Sequence, residues 1–124
     1  MITLIENLPP NMVGFRATEE VTEDDFKNVV MPNVKQFIEE HGNLNYMLIL
    51  DTSIKNFSMR AWMQDAVMGL KHISKWHHAA IITDIEAIKK FTEMFSLFVP
   101  GVYKAFDHDH IQDAIDWTSE KTKD

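Results

Sequence analysis

The chain has 124 residues, a formal net charge of −7 and no cysteine, with 45% hydrophobic and 25% charged residues. That length and balance describe one folded domain with a real core and argue against a disordered chain. The acid excess disfavours nucleic-acid backbones and anionic lipid surfaces as partners, and the lack of cysteine excludes disulfides, thiolate metal sites and a cysteine nucleophile.

Met1 to Ile5 is a short apolar-rich segment, and Pro9-Pro10 ends it in a turn because proline cannot donate to a ladder. Neither a basic leader nor an apolar run near the roughly 20 residues of a membrane span is present, so the expectation is a cytoplasmic chain without signal peptide or membrane span. Met12 to Thr18 reads as a strand in which Val13, Phe15 and Ala17 alternate with Gly14, Arg16 and Thr18. The two segments form an expected antiparallel hairpin at one side of a sheet.

Thr22 opens a helix, with Asp25 placed to complete a capping box. Phe26, Val29, Val30, Val34, Phe37 and Ile38 recur at three and four, a single apolar stripe that Pro32 should kink or split. His41-Gly42-Asn43 supplies the glycine stop. Tyr46 to Leu50 is apolar without alternation, which predicts a central strand covered on both faces. After a polar loop, Ser58 caps a long helix that carries Met59, Trp62, Met63, Ala66, Val67, Leu70 and Ile73 on a broad apolar face. Because that face is broad, a homodimer is compatible with it.

His77-His78 leads into a short buried strand, Ala79 to Thr83. As strand neighbours the two imidazoles should point to opposite faces and fail to share an ion. Asp84 is positioned to cap a helix from Ile85 to about Leu97. Pro100-Gly101 turns into a strand from Val102 to Phe106, and Asp107 or Asp109 caps a last helix with Ile111, Ala114, Ile115 and Trp117 inward. Residues 119–124 are a polar tail. The order ββαβαβαβα predicts a single α/β domain over residues 1–124, with a mixed, mostly parallel sheet of about five strands and four helices.

Two stretches carry a family resemblance. Trp62 to Asp84 pairs an acid-bearing helix with a short AAIITD strand, and FSLFVPGVYKAFDHDHIQDAIDW supplies a Phe-x-Pro-Gly turn, a strand ending at Phe106 and a helix with Ala114 and Trp117. The chain thereby resembles the SpoIIAA-like family of small bacterial proteins, related in fold to STAS domains and to CRAL-TRIO lipid-transfer domains. The resemblance implies a binding or regulatory role. Anti-sigma-factor antagonists of the STAS group carry an Asp-Ser-Ser-Gly-Leu type motif with a phosphorylated serine after the central strand. Here that region reads Asp51-Thr52-Ser53-Ile54-Lys55-Asn56-Phe57-Ser58-Met59-Arg60, and the motif is gone. Ser58 is a candidate phosphosite, with a helix N-cap as its simpler role.

No residue is assigned a catalytic role. There is no Gly-x-Ser-x-Gly elbow to support a hydrolase built on Ser53 or Ser58, and no glycine-rich nucleotide loop. Asp107-His108-Asp109-His110 is the best candidate metal cluster, but three or four converging ligands are needed, so neither metal nor cofactor is expected. In open α/β sheets ligands gather beyond the carboxyl ends of strands, near a switch in strand order. Asp51, Thr52, Ser53, Ser58, Met59, Arg60, Trp62 and Asp84 belong to that end and form the expected ligand site. The expectation is a non-enzymatic domain taking a small apolar or amphipathic, lipid-like ligand or a protein partner there. The alternative is a protein–protein switch of the anti-sigma-antagonist kind.

Overall fold

The computed structural model describes residues 1–20, 22–51, 76–95 and 102–120. The long helix expected after Ser58 lies outside the described residues, as do Thr52, Ser53, Ser58, Met59, Arg60 and Trp62 of the expected site.

Five strands form one sheet in the order β1 (Ile2–Leu4), β2 (Val13–Thr18), β3 (Leu44–Asp51), β4 (Trp76–Ile82) and β5 (Val102–Phe106). β1 pairs antiparallel with β2, Ile2 opposite Ala17, and the other three pairings are parallel. The expected hairpin and central strand are both present. β3 lies in the middle of the sheet and all of it except Asp51 is buried.

The helical segment after β2 begins as expected. The Thr22 N–H donates to Asp25 Oδ2 at 2.8 Å and the Asp25 N–H donates back to Thr22 Oγ1 at 3.3 Å, a reciprocal capping box at α1 (Glu23–Asp25). Pro32 then splits the helix. It sits in the first turn of α2 (Met31–His41), and the preceding Phe26–Val30 winds as a π-helix. A proline ring clashes with the turn before it and lacks an N–H, so the chain widens there. The Asn33 side-chain amide donates to the Val29 carbonyl at 2.7 Å. Gly42 ends α2 with φ of 80°, its N–H reaching the Ile38 carbonyl at 2.8 Å. A Cβ at Gly42 would meet nothing within 4 Å, so the cost of a side chain there is conformational alone. Gly42→Ala should lose about 1 kcal/mol in a urea melt, and Gly42→Asn, which tolerates positive φ, should lose less.

Side-chain alternation sends the core to both faces of the sheet. Phe15, Ala17, Tyr46, Leu48, Leu50, Ala79, Ile81 and Tyr103 pack with Val30, Val34 and Phe37 from the first helical segment and Ile88 from α3 (Glu86–Phe95). Met47, Ile49, Ala80 and Ile82 pack on the other face against Ala114, with Ile111, Ile115 and Trp117 partly buried beside it on α4 (Ile111–Thr118). The described helices after β2 and β4 thus lie on one side of the sheet, and α4 covers the other. The order β1-β2-β3-β4-β5 contains no reversal, so the expected switch in strand order is absent.

Three local expectations are corrected. The register between β3 and β4 slips, with Leu44 opposite Trp76 but Asn45 opposite His78, so His77 is an extra residue. The His77 and His78 rings therefore do not diverge but stack at 3.9 Å between centroids, and His78 stacks in turn on Trp117 at 4.1 Å. Asp84 does not cap α3; Thr83 Oγ1 accepts the Ile85 N–H there, while Asp84 turns toward His108. Asp107 precedes a 3-10 turn (His108–His110) without a side-chain cap bond, because its carboxylate pairs with Lys89.

Candidate functional site

In a parallel sheet the strand ends on one side converge, and here each of the last three strands runs into an acid: Leu50-Asp51, Thr83-Asp84 and Phe106-Asp107. Alternation places Asp51 on the same face as Met47 and Ile49, the face covered by α4. Arg16, out of phase with the buried Phe15 and Ala17, points to that face from the neighbouring strand.

His108 joins these ends. Its Nε2 lies 2.8 Å from Asp51 Oδ1 and its Nδ1 lies 2.8 Å from Asp84 Oδ2. The His108 backbone N–H donates to the other oxygen of Asp84 at 3.1 Å, so Asp84 grips the residue at two points. Arg16 Nε lies 3.0 Å from the second Asp51 oxygen. Beside this bridge, Lys89 of α3 pairs with Asp107 and, at 3.4 Å, with Glu86. The first turn leading into α4 is thus tied to the ends of β3 and β4, and β3 is tied to β2.

A carboxylate only accepts hydrogen bonds, so an imidazole set between two of them satisfies both when each ring nitrogen carries a proton. Partial burial pushes the His108 pKa down, but the hydrogen bonds to Asp51 and Asp84, with their charges, outweigh it and hold the pKa above the ordinary histidine value. The backbone N–H of His108, followed by its ring, holds the Asp84 carboxyl below its ordinary value. Lys89 is shifted upward, chiefly by its bond to Asp107.

Of the expected site residues, the structure brings together Asp51 and Asp84. The candidate cluster 107–110 does not converge: Asp107 faces Lys89, His108 faces the two aspartates, and Asp109 and His110 are exposed. Among the described residues no group of three His, Cys, Asp or Glu side chains is arranged to hold a metal ion. The imidazole ring stands between the oxygens of Asp51 and Asp84, which keeps them from meeting at one point. His108, Arg16 and Lys89 were missing from the expected site. The repeated acid at the strand ends was the signal for the third strand's contribution, since His108 directly follows the third of those acids.

A separate cleft of about 270 Å³ lies between the β1–β2 loop and α2, with Leu4, Leu8, Met12 and Phe37 among its apolar lining and Asn33, Gln36 and Glu40 among its polar lining. It is open and shallow, and it lies away from the charged bridge. The bridge is the better candidate because it gathers ionised groups from four strands.

Among the described residues no helix is long and apolar enough to cross a membrane. Comparison with functionally curated proteins found no match. A crystal structure of an uncharacterised protein from Shewanella loihica, described as having a SpoIIAA-like fold, is similar to this chain with a TM-score of 0.66 and 24% sequence identity, covering 94% of this chain and 93% of that one. That likeness shows the fold. The SpoIIAA-like family profile matches residues 12–119, which takes in β2 through the end of α4. The chain belongs to the SpoIIAA-like family.

Proposed function

We propose that the chain is a non-enzymatic binding or regulatory domain that takes a small amphipathic ligand at the carboxyl end of its parallel strands. The observation that carries this reading is the His108 bridge: Asp51 and Asp84, two residues of the expected site, are held as one polar cluster with Arg16 at the carboxyl ends of the parallel strands. The family and its fold support a binding or regulatory role. The bridge also disfavours acid–base chemistry. A general base needs a free lone pair, and a serine hydroxyl needs a ring nitrogen to pair with. While the ring is protonated, both His108 nitrogens donate to carboxylates and neither offers a lone pair.

Native mass spectrometry of the purified protein, followed by organic extraction, tests the reading. The expected result is a bound small molecule, released by extraction and lost or weakened in Asp51→Ala. A clean apo mass for the wild-type protein, with no binding of long-chain amphiphiles added back, would sink it. A second reading is a protein–protein switch of the anti-sigma-antagonist kind, with Ser58 or Ser53 as phosphosite; it rests on the serines that follow Asp51 and not on the family match, since the Asp-Ser-Ser-Gly motif is gone. Intact mass after expression beside the chain's own genomic neighbours would then show an added phosphate.

A further inference from the structure

We infer that the Asp51–His108–Asp84 bridge is a protonation latch, which pins the start of α4 to the end of β3 while His108 is an imidazolium and releases that strand end when the ring loses its proton. The argument rests on the geometry of the bridge. Each ring nitrogen faces a carboxylate oxygen at 2.8 Å, a distance at which both must donate. A neutral imidazole has one N–H. Its second nitrogen then turns a lone pair on a carboxylate, and the pair repels.

The two ring bonds are equally long, but only the Asp84 side has a second tie, which sets the place of opening. Asp84 holds His108 through the backbone N–H as well as the ring, and the backbone bond does not titrate. The proton that remains therefore stays on Nδ1, and the bond that breaks is the one from Nε2 to Asp51. Asp51 keeps Arg16 as its partner on β2, at 3.0 Å, so it is not left uncompensated. Lys89 and Glu86 face the same turn from α3, but Lys89 is engaged by Asp107 and Glu86, not by the ring. On the turn itself Asp109 and His110 are exposed. Deprotonation thus breaks one tie, between β3 and the first turn before α4, and leaves the others in place. The inference stands whether or not a ligand binds there.

The direction in pH follows from the shifts. The His108 pKa is raised on folding, so its contribution is whole below about 6.5, the unfolded value, and is lost as pH climbs through the folded one. The Asp84 pKa is lowered, so its share is present above roughly 4 and is lost in acid. The latch is closed between those limits and opens on the alkaline side.

The test is an NMR titration of the imidazole signals of the full chain from pH 5 to 9, with amide hydrogen-exchange protection factors at each pH corrected for the intrinsic rate. The His108 ring should titrate above the ordinary range, and protection at residues 108–112 should fall about threefold through that titration, the size expected of a largely exposed ion pair. In Asp51→Asn the titration should move down toward the ordinary value and the pH-dependent loss of protection should vanish. Amides of β3 inside the core should be unaffected in both proteins. A wild-type His108 that titrates at or below the ordinary value would overturn the inference. So would flat protection at residues 108–112 across a raised titration, because the ring would then change charge without releasing anything.

Discussion

Phe15→Ala should lower the free energy of unfolding by about 4 kcal/mol, a large part of the roughly 5–15 kcal/mol that holds a domain of this size together. Phe15 is fully buried in the middle of β2, opposite Leu48 on β3 and Leu4 on β1. Its ring lies 5.7 Å from that of Tyr46, and the same cluster contains Val30, Val34 and Phe37 from the first helical segment. Truncation removes the ring from a place where strands and helix meet, and a sheet clamped by neighbours on both sides cannot collapse into the gap. A urea melt should show the midpoint falling with the slope unchanged, since the surface exposed on unfolding is nearly the same. Phe15→Leu should recover more than half of the loss. A Phe15→Ala loss below about 1.5 kcal/mol would mean that the helical layer closes on the cavity, and that the face beneath α2 is less tightly packed than described.

The second large effect is expected at the other end of the sheet. Asn45 is 4% exposed at the start of β3 and links three elements. Its side-chain N–H donates to the Asn11 carbonyl at 2.9 Å, and its carbonyl oxygen lies 2.8 Å from His77 Nδ1. Asn11 in turn donates from its side chain to the Ser119 carbonyl, just past α4, at 2.6 Å. Because the amide oxygen accepts, His77 must carry its proton on Nδ1. Burial, and then the neighbouring His78, push the His77 pKa down. Asn45→Leu keeps the branched side-chain skeleton but leaves the Asn11 carbonyl and the His77 N–H without their partner, at a cost of about 2 kcal/mol. The same substitution should alter the slip between β3 and β4, visible as a changed His77 ring environment by NMR. An unchanged unfolding midpoint would show that water replaces both bonds.

These two sites divide the molecule by what its sequence reveals. Local sequence was enough for the described strands and for the start, break and end of the first helical segment. Alternation in Val13 to Thr18, the unbroken apolar run before Asp51, the Thr22–Asp25 box, the Pro32 split and the Gly42 stop are all local physics. Each is read over a few residues and each appears at the expected place. Family membership was legible in the quoted stretches Trp62 to Asp84 and Phe95 to Trp117, and the family profile matches residues 12–119. The tertiary structure alone decided what depends on residues far apart in the chain. His108 lies 57 residues from Asp51 and 24 from Asp84, and no periodicity links them. They meet because parallel pairing brings the strand ends to one rim. The same holds for Asp84, which reads as a helix cap until the end of β5 offers it a backbone N–H and an imidazole. It holds too for His77 and His78, whose opposite facing follows from strand geometry only while the register is regular. One extra residue at the β3–β4 slip stacks the rings instead, and whether a strand slips is settled by its neighbour.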